Sequence, residues 1–150
     1  MNTDEQYMRE AIELARSGAE TGEVPVGAIV VLGGEIVGRG ANSAIARSDP
    51  TAHAEILALR EAGLQLGNYR LDEAVLYCTL EPCVMCAGAL VHARLRRVVF
   101  GARDLRFGGV RSKFKVADSD VLNHRVEVVE GVLGSECTEL FREFFAARRP

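Results

Sequence analysis

Ala74-Val75-Leu76-Tyr77-Cys78-Thr79-Leu80, followed by Glu81-Pro82-Cys83-Val84-Met85-Cys86, is the stretch that decides the fold. The first seven residues read as a short apolar strand. Pro82 then opens a helix that runs through Cys86, Leu90 and Val91 to about Ala93, since proline is favoured at a first helical position. Beyond it, Arg97–Phe100 is a second strand, ended by Gly101. Upstream, Ala52–Glu61 reads as a helix closed by Gly63. Before that, Val26–Leu32 and Glu35–Gly40 are strands split by the Gly33-Gly34 turn, a hairpin signal. Thr3 to Gly18 is a helix: Met8, Ala11, Ile12 and Ala15 recur at helical spacing, and Thr3 with Gln6 fits a capping box. Downstream, residues 102–125 are irregular. Val126–Glu130 is a fifth strand, and Leu133–Ala147 a last helix with Leu133, Cys137, Leu140 and Phe144 on one face. Strands alternating with helices predict an α/β fold whose sheet is covered on both faces. No repeat or linker interrupts the pattern, so residues 1–150 are expected to form one domain.

The 150 residues are enough to bury a sizeable core. The chain is 48% hydrophobic and 26% charged, which suits a soluble protein. No apolar run approaches the roughly 18 residues that span a bilayer. Met1–Glu10 is polar and acidic, unlike an export signal, and a cytoplasmic location is expected. The net charge is −3, yet eight of the 18 Lys and Arg residues fall between 94 and 115, with Asp104 the lone acid there. Such a stretch is either a solvated loop or a surface that meets phosphates.

Two segments carry the chemistry: His53-Ala54-Glu55 and Pro82-Cys83-Val84-Met85-Cys86. Each stands at the start of an expected helix. A helix N-terminus lowers thiol pKa and favours the thiolate, the form that binds metal. One His and two Cys supply three ligands and leave a tetrahedral position open, as catalytic zinc requires. His53 and Glu55, two apart, point to opposite sides within a regular helix. They can share a site only if the helix begins between or just before them, as Pro50 and Thr51 suggest. Glu55 then serves as proton carrier without binding the metal. Cys83 and Cys86 alone would also fit a redox pair. A closed structural zinc would need Cys78, which instead reads as a packing residue in its strand; Cys137 reads as core. H-x-E followed by P-C-x-x-C is the signature of zinc-dependent nucleobase deaminases.

Further segments narrow this: Glu23-Val24-Pro25-Val26-Gly27-Ala28, Asp49 through Glu55 (DPTAHAE), Thr79 through Leu90 (TLEPCVMCAGAL), Val98 through Asp104 (VVFGARD), Asn123-His124-Arg125 and Phe144-Phe145. With them the chain resembles the bacterial tRNA-specific adenosine deaminases. The resemblance implies a cytidine deaminase-like three-layer α/β/α sandwich with a five-stranded mixed sheet, one zinc per chain, and a homodimer. It implies deamination of the wobble adenosine to inosine in a tRNA anticodon stem-loop. By position it assigns Asn42 to the target nucleotide, Ala54 to a backbone contact with the base, and Asp104, Asn123 and Phe145 to the pocket and its neighbouring bases. Leu90–Arg94 falls on surface expected to face the dimer partner. Leu105–Asp120 departs from the family pattern at Arg106, Arg111 and Lys113. Two rival readings share the metal ligands. One is a deaminase of a free base or nucleotide, such as guanine or deoxycytidylate. The other is a non-catalytic, zinc-stabilised RNA-binding module.

Overall fold

A computed structural model describes residues 3–148. The elements in chain order are α1 (Thr3–Glu20), β1 (Gly27–Leu32), β2 (Glu35–Ala41), α2 (Ala44–Arg47), α3 (Ala54–Leu66), β3 (Val75–Leu80), α4 (Val84–His92), β4 (Arg97–Ala102), β5 (Glu127–Glu130) and α5 (Gly134–Ala146). The strands form one sheet in the order β2-β1-β3-β4-β5. β1 runs antiparallel to both β2 and β3, whereas β3, β4 and β5 are parallel. The hairpin turn falls at Gly33-Gly34, both at positive φ, a pairing that suits a two-residue turn between twisted strands.

Alternation along the strands divides the core between two faces. Ala28, Val30, Leu76, Cys78, Val98 and Phe100 pack with Ala54, Ala58 and Ala62 of α3 and with Ala87, Leu90 and Val91 of α4. Ile29, Val31, Val75, Tyr77 and Val99 pack on the other side with Met8, Ala11, Ile12 and Ala15 of α1 and with Cys137 and Leu140 of α5. The result is the expected mixed five-stranded sheet between two helical layers. Among the described residues no helix is long and apolar enough to cross a membrane.

Several boundaries differ from expectation: α1 runs past Gly18 to Glu20, α3 begins at Ala54 instead of Ala52, and β4 passes through Gly101 to Ala102. α3 passes through Gly63 and ends at Gly67, which takes the left-handed cap at φ 65°. An αL cap is where glycine is least costly, so Gly67 wins over Gly63. α4 begins at Val84, with Cys83 as N-cap, so Pro82 precedes the helix instead of opening it. The four-residue α2 was not anticipated, being too short to show a period.

Helix α3 lies unusually close to the hairpin. A side chain at Gly38 would overlap the Ala58 carbonyl, and one at Gly40 the Ala54 carbonyl. Gly40 therefore sets where the first turn of α3 sits. His53 and Glu55 at that turn, Leu80 at the carboxyl end of β3, and Val24 and Val26 ahead of β1 line one pocket.

Candidate metal centre

His53, Cys83 and Cys86 meet with their ligand atoms all within 4.8 Å of one another. His53 is the N-cap of α3 and Cys83 the N-cap of α4. An N-cap side chain normally bonds to the free N–H groups of its own helix. Neither residue does so, and both side chains turn instead toward the shared centre. His53 Nδ1 lies 3.6 Å from Cys83 Sγ and 3.5 Å from Cys86 Sγ. Tetrahedral zinc with ordinary Zn–N and Zn–S bonds would separate such atoms by about 3.5 Å. The donor set and its spacing therefore fit one zinc ion per chain. Cys78, buried in β3, is not part of the cluster, and Cys137 lies on the opposite face of the sheet.

Hydrogen bonds within the cluster divide its protons unevenly among the three ligands. The hydrogen bond with the Cys86 thiol holds Cys83 down to about 4, and His53 adds to the effect. Cys86 is pushed up by the same hydrogen bond and by burial. His53 is raised, chiefly by its bond to Cys83. Cys83 is the ligand held toward its thiolate, whereas Cys86 and His53 are held toward their protonated forms and give up protons when metal binds.

Glu55 occupies the first turn of α3 and is 4% exposed. Because the helix starts at Ala54, His53 is still extended, with ψ at 152°, and both side chains reach the same pocket. Burial raises the Glu55 carboxyl to about 7, so near neutral pH it can either hold or release a proton.

The pocket above the cluster has a volume of about 530 Å³. Val24, Val26, Leu80 and Val84 give it apolar walls; Asn42, Asp104, Arg106, Phe107 and Phe114 also line it. The Asn42 carboxamide oxygen accepts the Ala54 backbone N–H at 2.9 Å. That leaves the Ala54 amide occupied within the protein, and its side chain is buried in the core. Phe145 lines an adjoining groove of about 420 Å³, which shares Asp104, Arg106 and Phe107 with the pocket. Asn123 lies in an exposed segment and is not brought to the pocket lining.

Sequence reasoning missed several residues here. Phe107 and Phe114 fall in the irregular segment 102–125, where no period marks them. Glu81 has no role in the sequence reading, although a charged residue in so apolar a stretch is a signal. The basic stretch is also less available than its composition suggested. Arg97 pairs with Asp4, Arg103 with Glu130, Arg111 with Asp118, and Arg96 is 3.8 Å from Glu73. Among the described residues Arg106 and Lys113 have no acidic partner within ion-pair distance. The terminal pair Arg148-Arg149 is likewise expected from sequence to meet phosphates; Arg149 lies outside the described residues.

A mixed sheet with a His/Cys/Cys cluster at two helix N-termini, open on one side, defines a zinc-binding deaminase of the cytidine and deoxycytidylate type. The family model for the cytidine and deoxycytidylate deaminase zinc-binding region matches residues 1–102. The chain is 50% identical over 147 residues to a tRNA-specific adenosine deaminase of Haemophilus influenzae, covering 97% of this chain and 85% of that one. It is 46% identical over 149 residues to the protein of that description in Bacillus subtilis, covering 99% and 92%. A solved structure from a study of A-to-I editing by tRNA:A34 deaminases superimposes with a TM-score of 0.87 at 42% identity, over 90% of this chain and 98% of that one. A guanine deaminase from Nitrosomonas europaea superimposes with a TM-score of 0.85 at 26% identity, over 97% and 86%. The chain belongs to the tRNA-specific adenosine deaminase family within that zinc-binding superfamily.

Proposed function

We propose that this chain hydrolytically deaminates adenosine to inosine at the wobble position of tRNA. The observation that carries the reading is the open His/Cys/Cys cluster on the floor of the pocket, in a chain of this family. Zinc, which His53, Cys83 and Cys86 would hold, would supply a Lewis acid able to acidify the attacking water. Glu55 accepts the proton from the attacking water and delivers it to ring nitrogen N1 as the oxygen adds at C6. It then moves the proton of the new C6 hydroxyl to the departing amine, so that water and adenosine become inosine and ammonia. Its burial and its midrange pKa suit a group that must both take and give.

Asn42 and Asp104 are assigned to the target nucleotide, Ala54 to a backbone contact with the base, and Phe145 and Asn123 to the flanking nucleotides. The base must leave its stack to enter the pocket, and an anticodon stem-loop gives it up at lower cost than a duplex. The reading includes a homodimer. Leu64 and Tyr69, both exposed, line a groove with Ala89, His92 and Ala93 between α3 and α4, a surface suited to a second copy. It also places the enzyme in the cytoplasm, where cysteine ligands stay reduced.

Side-by-side ammonia-release assays test the substrate. An anticodon stem-loop should be deaminated efficiently, and free adenosine, guanine and deoxycytidylate poorly, because the missing phosphates and neighbouring bases supply binding energy away from the reacting atom. Efficient turnover of guanine with an inert stem-loop would replace this reading with that of a free-base deaminase.

A further inference from the structure

Glu81 is buried, 1% exposed, between β3 and the first metal-ligating cysteine, and the chemistry above does not use it. Every hydrogen bond to its carboxylate comes from one loop. Oε1 accepts the Asp104 N–H at 3.1 Å and the Ser112 hydroxyl. Oε2 accepts three successive N–H groups, those of Val110, Arg111 and Ser112, at 3.1, 2.7 and 2.9 Å. Consecutive N–H groups converging on one oxygen form an anion-binding concavity, here filled by a side chain of the same protein.

The loop is drawn against the metal-binding segment at other points too. Gly109 N–H donates to the Pro82 carbonyl at 2.8 Å, and Cys83 and Gly108 form a β-bridge. The approach is close enough that a side chain at Gly108 would overlap the Glu81 carboxylate. Between and beyond these anchors the loop carries Arg106, Phe107 and Phe114, three residues of the pocket rim. The Asp104 carboxylate shapes the first part of it by accepting the Arg106 and Phe107 N–H groups.

We propose that Glu81 is a positioning residue for RNA, a latch that fixes the 104–114 rim loop relative to the Cys83–Cys86 ligand pair. It touches neither metal ligand through the hydrogen bonds described; although it borders the pocket, both its oxygens are taken up by loop donors, and it acts on substrate through the loop. The proposal rests on the RNA-deaminase reading for its kinetic part and on the hydrogen-bond geometry alone for its structural part. A glutamine at this position keeps the shape but turns one oxygen into an NH₂ group that faces donors, leaving loop N–H groups unmet.

The test compares Glu81→Gln, Gly108→Ala and the double variant, as zinc-loaded protein, by amide hydrogen exchange and by steady-state turnover of an anticodon stem-loop. Exchange at Val110, Arg111 and Ser112 should quicken about tenfold or more in each variant while the central strands stay protected. KM for the stem-loop should rise about tenfold with kcat within about threefold, the pattern of lost rim binding. Zinc should remain at one per chain. Because both changes open the same latch, the double variant should be no more than about twofold worse than the poorer single one. Should Glu81→Gln fail to fold, Ser112→Ala removes one donor and should raise KM by a smaller factor. Unchanged exchange, loss of zinc, or a fall in kcat with KM constant would each overturn the proposal. Wild-type protein inert on the stem-loop would refute the RNA reading instead, and the exchange result would still decide the latch.

Discussion

Asn42 caps a helix that begins twelve residues later, at Ala54. The helix's own N-cap, His53, makes no side-chain cap bond, its ring being turned toward Cys83 and Cys86. Asn42 supplies the missing oxygen from the end of β2 and so holds the turn that presents both His53 and Glu55. Loss of an N-cap oxygen costs about 0.5–2 kcal/mol. Asn42→Ala should therefore lower the melting temperature and weaken zinc retention. Asn42→Asp keeps an acceptor facing the positive end of the helix and should restore most of the stability. It lacks the amide N–H₂, so weaker substrate binding in Asn42→Asp would report the nucleotide contact separately. An Asn42→Ala variant that melts with the wild type would rule out the capping role.

The ligand set makes a separate prediction. Cys83→Ala and Cys86→Ala should each lose most of the bound zinc on dialysis, measured by metal analysis of the purified protein. Cys78→Ala should retain one zinc per chain, since Cys78 packs inside the sheet and is outside the cluster. Zinc loss in Cys78→Ala, with retention in Cys83→Ala, would point to a different, closed site.

Glu55→Gln should fold, keep zinc and bind the stem-loop, yet turn over about 10²–10⁴-fold more slowly, the usual contribution of a general acid–base group. Single-turnover assays with saturating enzyme avoid any change in affinity. Near-normal rates would remove Glu55 from the proton path and favour a metal-stabilised binding module.

How far the sequence was legible depends on periodicity. The strands and the long helices carry a period, and their alternation foretold a sheet between two helical layers. The ligands were legible because metal binding demands particular residue types at short spacings. Placing His53 and Glu55 in one pocket required a helix starting beside them, and α3 does start at Ala54. The rim was not legible. Residues 102–125 have no period because their order comes from a carboxylate outside the segment: Glu81 accepts the N–H groups of Val110, Arg111 and Ser112 across about thirty residues of chain. Charge counting failed for a similar reason, since Arg111 finds Asp118 only once the loop is folded.

Gly40 gives the fold its most direct stability test. Alanine there would collide with the carbonyl of Ala54, where α3 begins. Overpacking of this kind costs about 1–3 kcal/mol. Gly40→Ala should lower the melting temperature and, by shifting the first turn of α3, reduce kcat more than an equally destabilising change in α5. Calorimetry and turnover on the same preparation would check both; a variant as stable and active as wild type would mean that α3 can move away freely.

The last prediction concerns salt. If the substrate is RNA, binding uses phosphate contacts and affinity should fall steeply as salt rises, whereas a free base would show little dependence. Composition alone would choose Arg106, Arg111 and Lys113 for charge reversal. The structure removes Arg111 from that set: its guanidinium donates to Asp118 at 3.0 Å and to the carbonyl of Val110, and its backbone N–H is held by Glu81. Arg106 and Lys113 are exposed instead, with Arg106 packed 5.4 Å from the ring centre of Phe107 on the pocket rim. Reversing Arg106 and Lys113 together to Glu should weaken stem-loop binding and flatten its salt dependence by about two phosphate contacts, with zinc content and melting temperature unchanged. Arg111→Glu should differ in kind, placing a carboxylate beside Asp118 and lowering stability. Filter binding across a salt series, paired with thermal melts, separates the two. Equal salt slopes in the wild type and the Arg106/Lys113 double reversal would show that the phosphates are met elsewhere on the surface.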